Sequence, residues 1–179
     1  MSKNYRRDIY AGYFGFSFIL LLTAITVGRL LINQEFTSPI GLLMREVNSI
    51  HVPMNSLNSG QISIMLVSFI VKAICATTIC VTLLLAIRNF LHNDFFTTTN
   101  VKMFKIASWS ALFYIGGQFF EGMANNWIST TEGISNNALP NGADDPGFIP
   151  MYILMMVLSM MTIALSRAVK LQEDQEGLI

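Results

Sequence analysis

Apolar positions cluster into four long runs, separated by stretches in which polar residues dominate. The runs cover about residues 9–32, 62–87, 103–128 and 148–169. Each has roughly the 20 residues that cross a hydrocarbon core of about 30 Å. An open strand leaves its backbone groups unsatisfied in lipid, so all four runs predict helices. The first is longer than the apolar part of a secretory leader. Arg29-Leu30-Leu31 also stands where small residues would mark a cleavage site, so the run is expected to stay as a helix. The expected fold is all-α, a four-helix transmembrane bundle in a single membrane domain over residues 1–179, with a tail at 170–179.

The connections differ in character. The one between the second and third runs is short, and Thr99 or Asn100 is expected to cap the helix that follows it. The first long loop, Asn33 to Gln61, contains Ser38 and Pro39, which suit a helix start. Apolar Ile40, Leu43, Met44 and Val47 then share one face, which predicts a short amphipathic helix on the outer membrane surface. The second long loop, Asn125 to Gly147, is rich in Asn, Gly, Asp and Pro and is expected to form mostly turns.

Charge gives the runs a direction. Lys3, Arg6, Arg7, Arg88, Lys102, Lys105, Arg167 and Lys170 fall on one side, and Arg29 and Arg45 on the other. Basic flanks stay in the cytoplasm, so both termini are expected there, in a multi-pass membrane protein. Tyr10, Tyr13, Trp127 and Tyr152 lie near the run ends, where amphipathic rings favour the interface.

An ionisable residue inside a span is expensive and therefore a functional candidate. Lys72 lies sixteen residues from Arg88, and Glu121 sixteen from Lys105. At 1.5 Å per residue both sit about 24 Å above those basic markers, a depth at which two antiparallel helices can pair them. Gln118, Glu121 and Asn125 share a helical face, as do Ser68, Lys72 and Cys75. Lys72, Gln118, Glu121 and Asn125 thus form a candidate intramembrane polar site. It is either a pair that fixes helix register or a site for an ion, proton or ligand, and register weighs more because one pair with a single amide is thin for a transport path. Gly116, Gly117 and Gly122 keep the third run small on other faces.

Composition narrows the function classes. Hydrophobic residues make up 53% of the 179 and charged residues 12%, about half the usual quarter for a soluble domain. A chain this small has too little interior to hide so much apolar surface from water. Eleven Lys plus Arg balance eleven Asp plus Glu, so no net charge draws the chain to nucleic acid. Cys75 and Cys80, five apart on one helix, cannot bridge and read as packing residues. Met151, Met155, Met156, Met160 and Met161 spread around the fourth run with no His or Cys among them, which favours packing over copper. His51 and His92 fall on opposite sides of the membrane and cannot share a metal. Asp144-Asp145-Pro146-Gly147 lacks the further ligands of a calcium loop. No catalytic motif is visible, so no enzyme, cofactor or metal is expected.

Two stretches carry a family resemblance. One runs from Asn93-Asp94-Phe95-Phe96 through Asn100-Val101-Lys102 to Trp109, and the other is Ala168-Val169-Lys170-Leu171-Gln172-Glu173-Asp174. With four spans in about 180 residues, they resemble the bacterial family called domain of unknown function 2975. The tail departs from that family's usual ending in Asp174-Gln175-Glu176-Gly177-Leu178-Ile179. The resemblance implies a place in the bacterial inner membrane and no known reaction. It implies a cytoplasmic helix-turn-helix regulator as partner, for which Leu171, Gln172, Glu173 and Asp174 are the candidate docking residues. Good helix formers from Arg167 to Glu176 predict that the fourth helix continues past the membrane.

The leading expectation is a non-catalytic membrane protein that acts as a sensor, tether or regulatory partner for a cytoplasmic protein. The alternative is a small transporter or channel subunit built on Lys72, Gln118 and Glu121. An accessory subunit of a larger complex and a homo-oligomer are both compatible with the sequence. The bilayer is the partner implied most directly, and no direct nucleic-acid contact is expected.

Overall fold

The computed structural model describes residues 3–34, 57–92, 94–133 and 148–176. They form four helices: α1 (Lys3–Asn33), α2 (Ser59–Leu91), α3 (Thr98–Glu132) and α4 (Phe148–Glu176). Every regular element among the described residues is a helix, as the pattern predicts. The amphipathic helix expected around residues 38–47 lies outside the described residues.

Local chemistry sets the helix ends. α1 stops where Gln34 turns to a left-handed φ of 57° and its N–H donates to the Leu30 carbonyl at 3.2 Å. Before α2, the Asn58 N–H donates to Gln61 Oε1 at 2.8 Å, so the side chain satisfies a backbone group that precedes the helix. The cap of α3 corrects the sequence expectation. It is Thr97, whose hydroxyl accepts the N–H of Asn100 at 3.2 Å, and not Thr99 or Asn100. α3 also runs past its apolar run, with residues 129–132 helical, and the turns expected over residues 134–147 lie outside the described residues. It ends at Gly133, where φ is 65° and the N–H donates to Ser129 O. A side chain strains this left-handed conformation and glycine does not. Pro150 sits in the first turn of α4, where a missing N–H costs nothing. The same helix continues to Glu176, past the apolar run.

Neighbours in sequence are neighbours in space: α2 packs along α3, α3 along α4, and α1 along α2. The main core joins α2, α3 and α4 through Ile79, Leu83 and Ala86 of α2, Phe104, Ala107 and Ala111 of α3, and Leu158 and Leu165 of α4. Ala107 and Ala111 are fully buried, and their small side chains let the backbones approach. Gly12 of α1 faces Ile87 of α2, where an added Cβ would stand 3.3 Å from Ile87 Cδ1.

The outer surface is apolar. Phe14, Leu31, Ile32, Val67, Ile74, Phe113, Ile149 and Met160 are all exposed. A water-soluble protein rarely shows so continuous an apolar exterior. α1 from Ile9, α2, and α4 through Gln175 are long and apolar enough to cross a membrane, which marks the chain as a membrane protein. α3 falls short of that standard on composition, because Ser108, Ser110, Gln118, Glu121 and Asn125 dilute it.

Candidate functional site

The polar residues that dilute α3 are not spread around it. From residue 106 to 125, every exposed position of α3 is apolar: Ile106, Trp109, Leu112, Phe113, Phe119, Phe120 and Met123. Gln118 and Asn125 are buried, and Glu121 is half-buried on the flank of the same face. A 3.6-residue repeat puts offsets of three, four and seven on one side, so the polar set of α3 turns inward together.

Facing it, α2 presents Ser68, Lys72 and Cys75, all buried. Lys72 Nζ donates to the Glu121 carboxylate, which forms the ion pair that equal depth made plausible. The lysine side chain is 5% exposed and the glutamate 21%, so the pair opens toward its glutamate end. One helical turn before Lys72, the Ser68 hydroxyl donates to the Gly117 carbonyl at 2.6 Å. Gly117 is there because nothing larger fits. A Cβ on it would stand 2.9 Å from Lys72 Cγ and 3.5 Å from the Ser68 carbonyl oxygen. The missing side chain of α3 is thus the slot through which the lysine stem of α2 passes to reach Glu121. The sequence marks Gly117 only as small; its role as the lysine's slot emerges from the packing.

Below this site, Cys75 and Ala76 pack with Tyr114, flanked by Val71 and Met151. Both cysteines are free and buried. Met155 also packs inward, whereas Met156, Met160 and Met161 are exposed, so the methionines of α4 serve core and outer surface alike. Among the described residues, no group of three or more His, Cys, Asp or Glu side chains could hold a metal ion.

Two further polar clasps close the ends of the α2–α3 hairpin. At the end near Gly133, fully buried Gln61 donates from Nε2 to Thr131 Oγ1 at 3.3 Å. Gly60 lies under the Trp127 ring at that end, where an added Cβ would come within 3.0 Å of it. At the other end Asn100, also fully buried, ties the interhelical turn. Asn89 Nδ2 donates to its Oδ1 at 2.7 Å, and its own Nδ2 donates to the carbonyls of Asp94 at 2.6 Å and Phe95 at 2.9 Å. Phe90 stacks against both Phe95 and Phe104 beside this clasp. Gln61 is readable in retrospect from the Asn-x-x-Gln pattern of a capping box. Asn100 gives no such signal, because its partners come from across the turn.

The candidate docking residues Leu171, Gln172, Glu173 and Asp174 lie on the last turns of α4 and are all exposed. They are remote in the chain from the α2–α3 pair and share no cluster with it.

Comparison with protein-family models, with curated proteins and with solved structures finds no match to this chain.

Proposed function

We propose that all four helices cross the bacterial cytoplasmic membrane, with both termini in the cytoplasm, and that the chain is a non-catalytic sensor or tether for a cytoplasmic protein. The observation that carries this is the division of α3 into two faces. From residue 106 to 125, about 28 Å along the axis, it exposes only apolar side chains, close to the thickness of a hydrocarbon core. Its polar face meanwhile serves contact between helices: against α2, Ser68 bonds Gly117 and Lys72 pairs with Glu121, and against α4, Ser108 meets Ser159. Polar groups bonded to one another across helices hold register, which is what a scaffold needs. The distribution of Lys and Arg supports the orientation.

In this reading the α2–α3 hairpin is the rigid element, and α4, packed on α3, carries the signal. A shift in packing near Lys72 and Glu121 moves α3 against α4 and changes how the exposed Leu171–Asp174 turn is presented. The resemblance to domain of unknown function 2975 makes a small helix-turn-helix regulator the proposed partner. Affinity capture after cross-linking in cells, with the full chain and with a chain ending at Lys170, tests the proposal. A cytoplasmic protein recovered only with the tail is expected. Equal recovery removes the tail from the mechanism, and thiol labelling that finds either terminus outside the cell removes the orientation.

A further inference from the structure

The second interface of α3, with α4, carries a groove of about 610 Å³, open along the molecular surface. Ser108 and Ser159 meet in its floor, with their hydroxyls 2.7 Å apart. Trp109, Leu112 and Ile163 form apolar walls that are themselves exposed. Lys105, Ser166 and Arg167 complete it, and none of its described lining residues is acidic.

The helix rise fixes where the cations lie. Lys105 is three residues from Ser108, about 5 Å along α3, and Arg167 is eight from Ser159, about 12 Å along α4. The helices are antiparallel, so both displacements point toward the end that holds the α2–α3 turn. The flexible lysine stem extends toward that end, and both heads come to one mouth. Neither Lys105 nor Arg167 has an ion-pair or hydrogen-bond partner among the described residues. Two unpaired cations above a hydroxyl-floored apolar groove form a basic pocket between membrane helices, which suits an acidic headgroup with its acyl chain laid below.

We infer that the α3–α4 groove is a binding site for an anionic glycerophospholipid. Its phosphate lies between Lys105 and Arg167, and one acyl chain runs over Trp109, Leu112 and Ile163. The inference rests on the membrane reading above and extends it: the lipid fills the seam between the rigid hairpin and the tail-bearing helix. Occupancy therefore bears on how α4 sits against α3.

The site contains its own probe. The chain has two tryptophans, Trp109 and Trp127, and eighteen residues, about 27 Å, separate them on α3. The full chain carrying Trp127→Phe reports from the groove alone. It is reconstituted in phosphatidylcholine vesicles that contain either brominated phosphatidylglycerol or brominated phosphatidylcholine, and Trp109 quenching is measured. The anionic lipid is expected to quench at a lower mole fraction, with a preference of about five-fold for each cation. Lys105→Gln with Arg167→Gln abolishes the preference, and Lys105→Arg keeps it. Lys102→Gln with Lys170→Gln, exposed cations outside the groove, also leaves it in place. Equal quenching by the two lipids overturns the site. So does a preference that survives the groove variant or vanishes equally in the control pair. Alkaline extraction separates the two levels: a chain washed off the vesicles overturns the membrane reading itself, whereas a retained chain with equal quenching overturns the lipid site alone.

Discussion

α3 uses its two neighbours in opposite ways. Against α2 it closes: an ion pair, a hydroxyl–carbonyl bond and a clasp at each end hold the two helices along their whole length. Against α4, among the described residues, it shares an apolar core, the Ser108–Ser159 hydroxyl pair and a long 3.5 Å bond from Ser108 to the Met155 carbonyl, and it leaves a groove open to the surface. Apolar packing alone gives little preference for one helix neighbour over lipid, since lipid tails are as apolar as leucine. Directional polar bonds supply that preference, so the α2–α3 contact is built for one register. The α3–α4 contact has fewer such constraints and more room to move. A scaffold half and an adjustable half, joined by one shared helix, follow from where the polar side chains are spent.

The sharpest way to break this contrast is to unpair the charges. Lys72→Met leaves Glu121 without its cation, and Glu121→Leu strands a lysine that is almost wholly buried. Removing one partner of a buried pair costs about 3–5 kcal/mol, and the partial exposure of Glu121 places the lysine-stranding change at the higher end. The double variant Lys72→Met with Glu121→Leu restores most of the loss, because no isolated charge remains. Unfolding in mixed detergent micelles, read as a double-mutant cycle, gives the coupling directly. Additive single effects would show that the pair does not hold the hairpin.

Asn100→Ala is the next largest change. The substitution removes one acceptor and one carboxamide that serves two turn carbonyls. Unsatisfied buried groups cost about 1–3 kcal/mol each, and water reaches part of this turn, so a loss of about 2–3 kcal/mol is expected. Hydrogen exchange should place the loss in residues 94–100 first. Uniform loosening of the whole hairpin would show that the clasp is not a local device.

Gly117→Ala tests the lysine slot more gently. The new methyl would press on the lysine stem at Cγ, near the backbone, where the chain has little freedom to yield. Overpacking of this kind costs about 1–2 kcal/mol. In the background of Lys72→Met with Glu121→Leu the cost should shrink, since an unpaired stem can move aside. A cost unchanged in that background would show that the lysine stem is not the source of the strain.

These same residues show how far the sequence can be read. The count of sixteen residues from each basic marker places Lys72 and Glu121 level, because helix rise is constant and the hairpin is antiparallel. Helix existence follows from run length for the same reason. The ends are less legible. Thr97, Gln61 and Asn100 act through bonds to residues three to seventy positions away, and composition windows do not register such pairings. The third helix shows the converse problem. Averaged hydropathy counts Gln118 and Asn125 against membrane insertion, yet both face protein and not the outside. Only the arrangement around the helix separates a polar helix from an apolar one with a polar seam.

The smallest effect belongs to the open interface. Ser108 meets Ser159 across the groove floor, but Ser159 also bonds the Met155 carbonyl within its own helix at 2.9 Å. Ser108→Ala therefore leaves no stranded group on α4, and the expected loss is about 0.6 kcal/mol, the typical value for a hydrogen bond between membrane helices. The same micelle assay resolves it best as a difference from Ser68→Ala, whose Gly117 bond lies in the closed interface. If Ser108→Ala cost more than about 1.5 kcal/mol, α4 would be held as tightly as α2, and the freedom assigned to the tail-bearing helix would have no source. A loss near the expected value leaves apolar contact, and the lipid in the groove, as the main forces that keep α4 against α3.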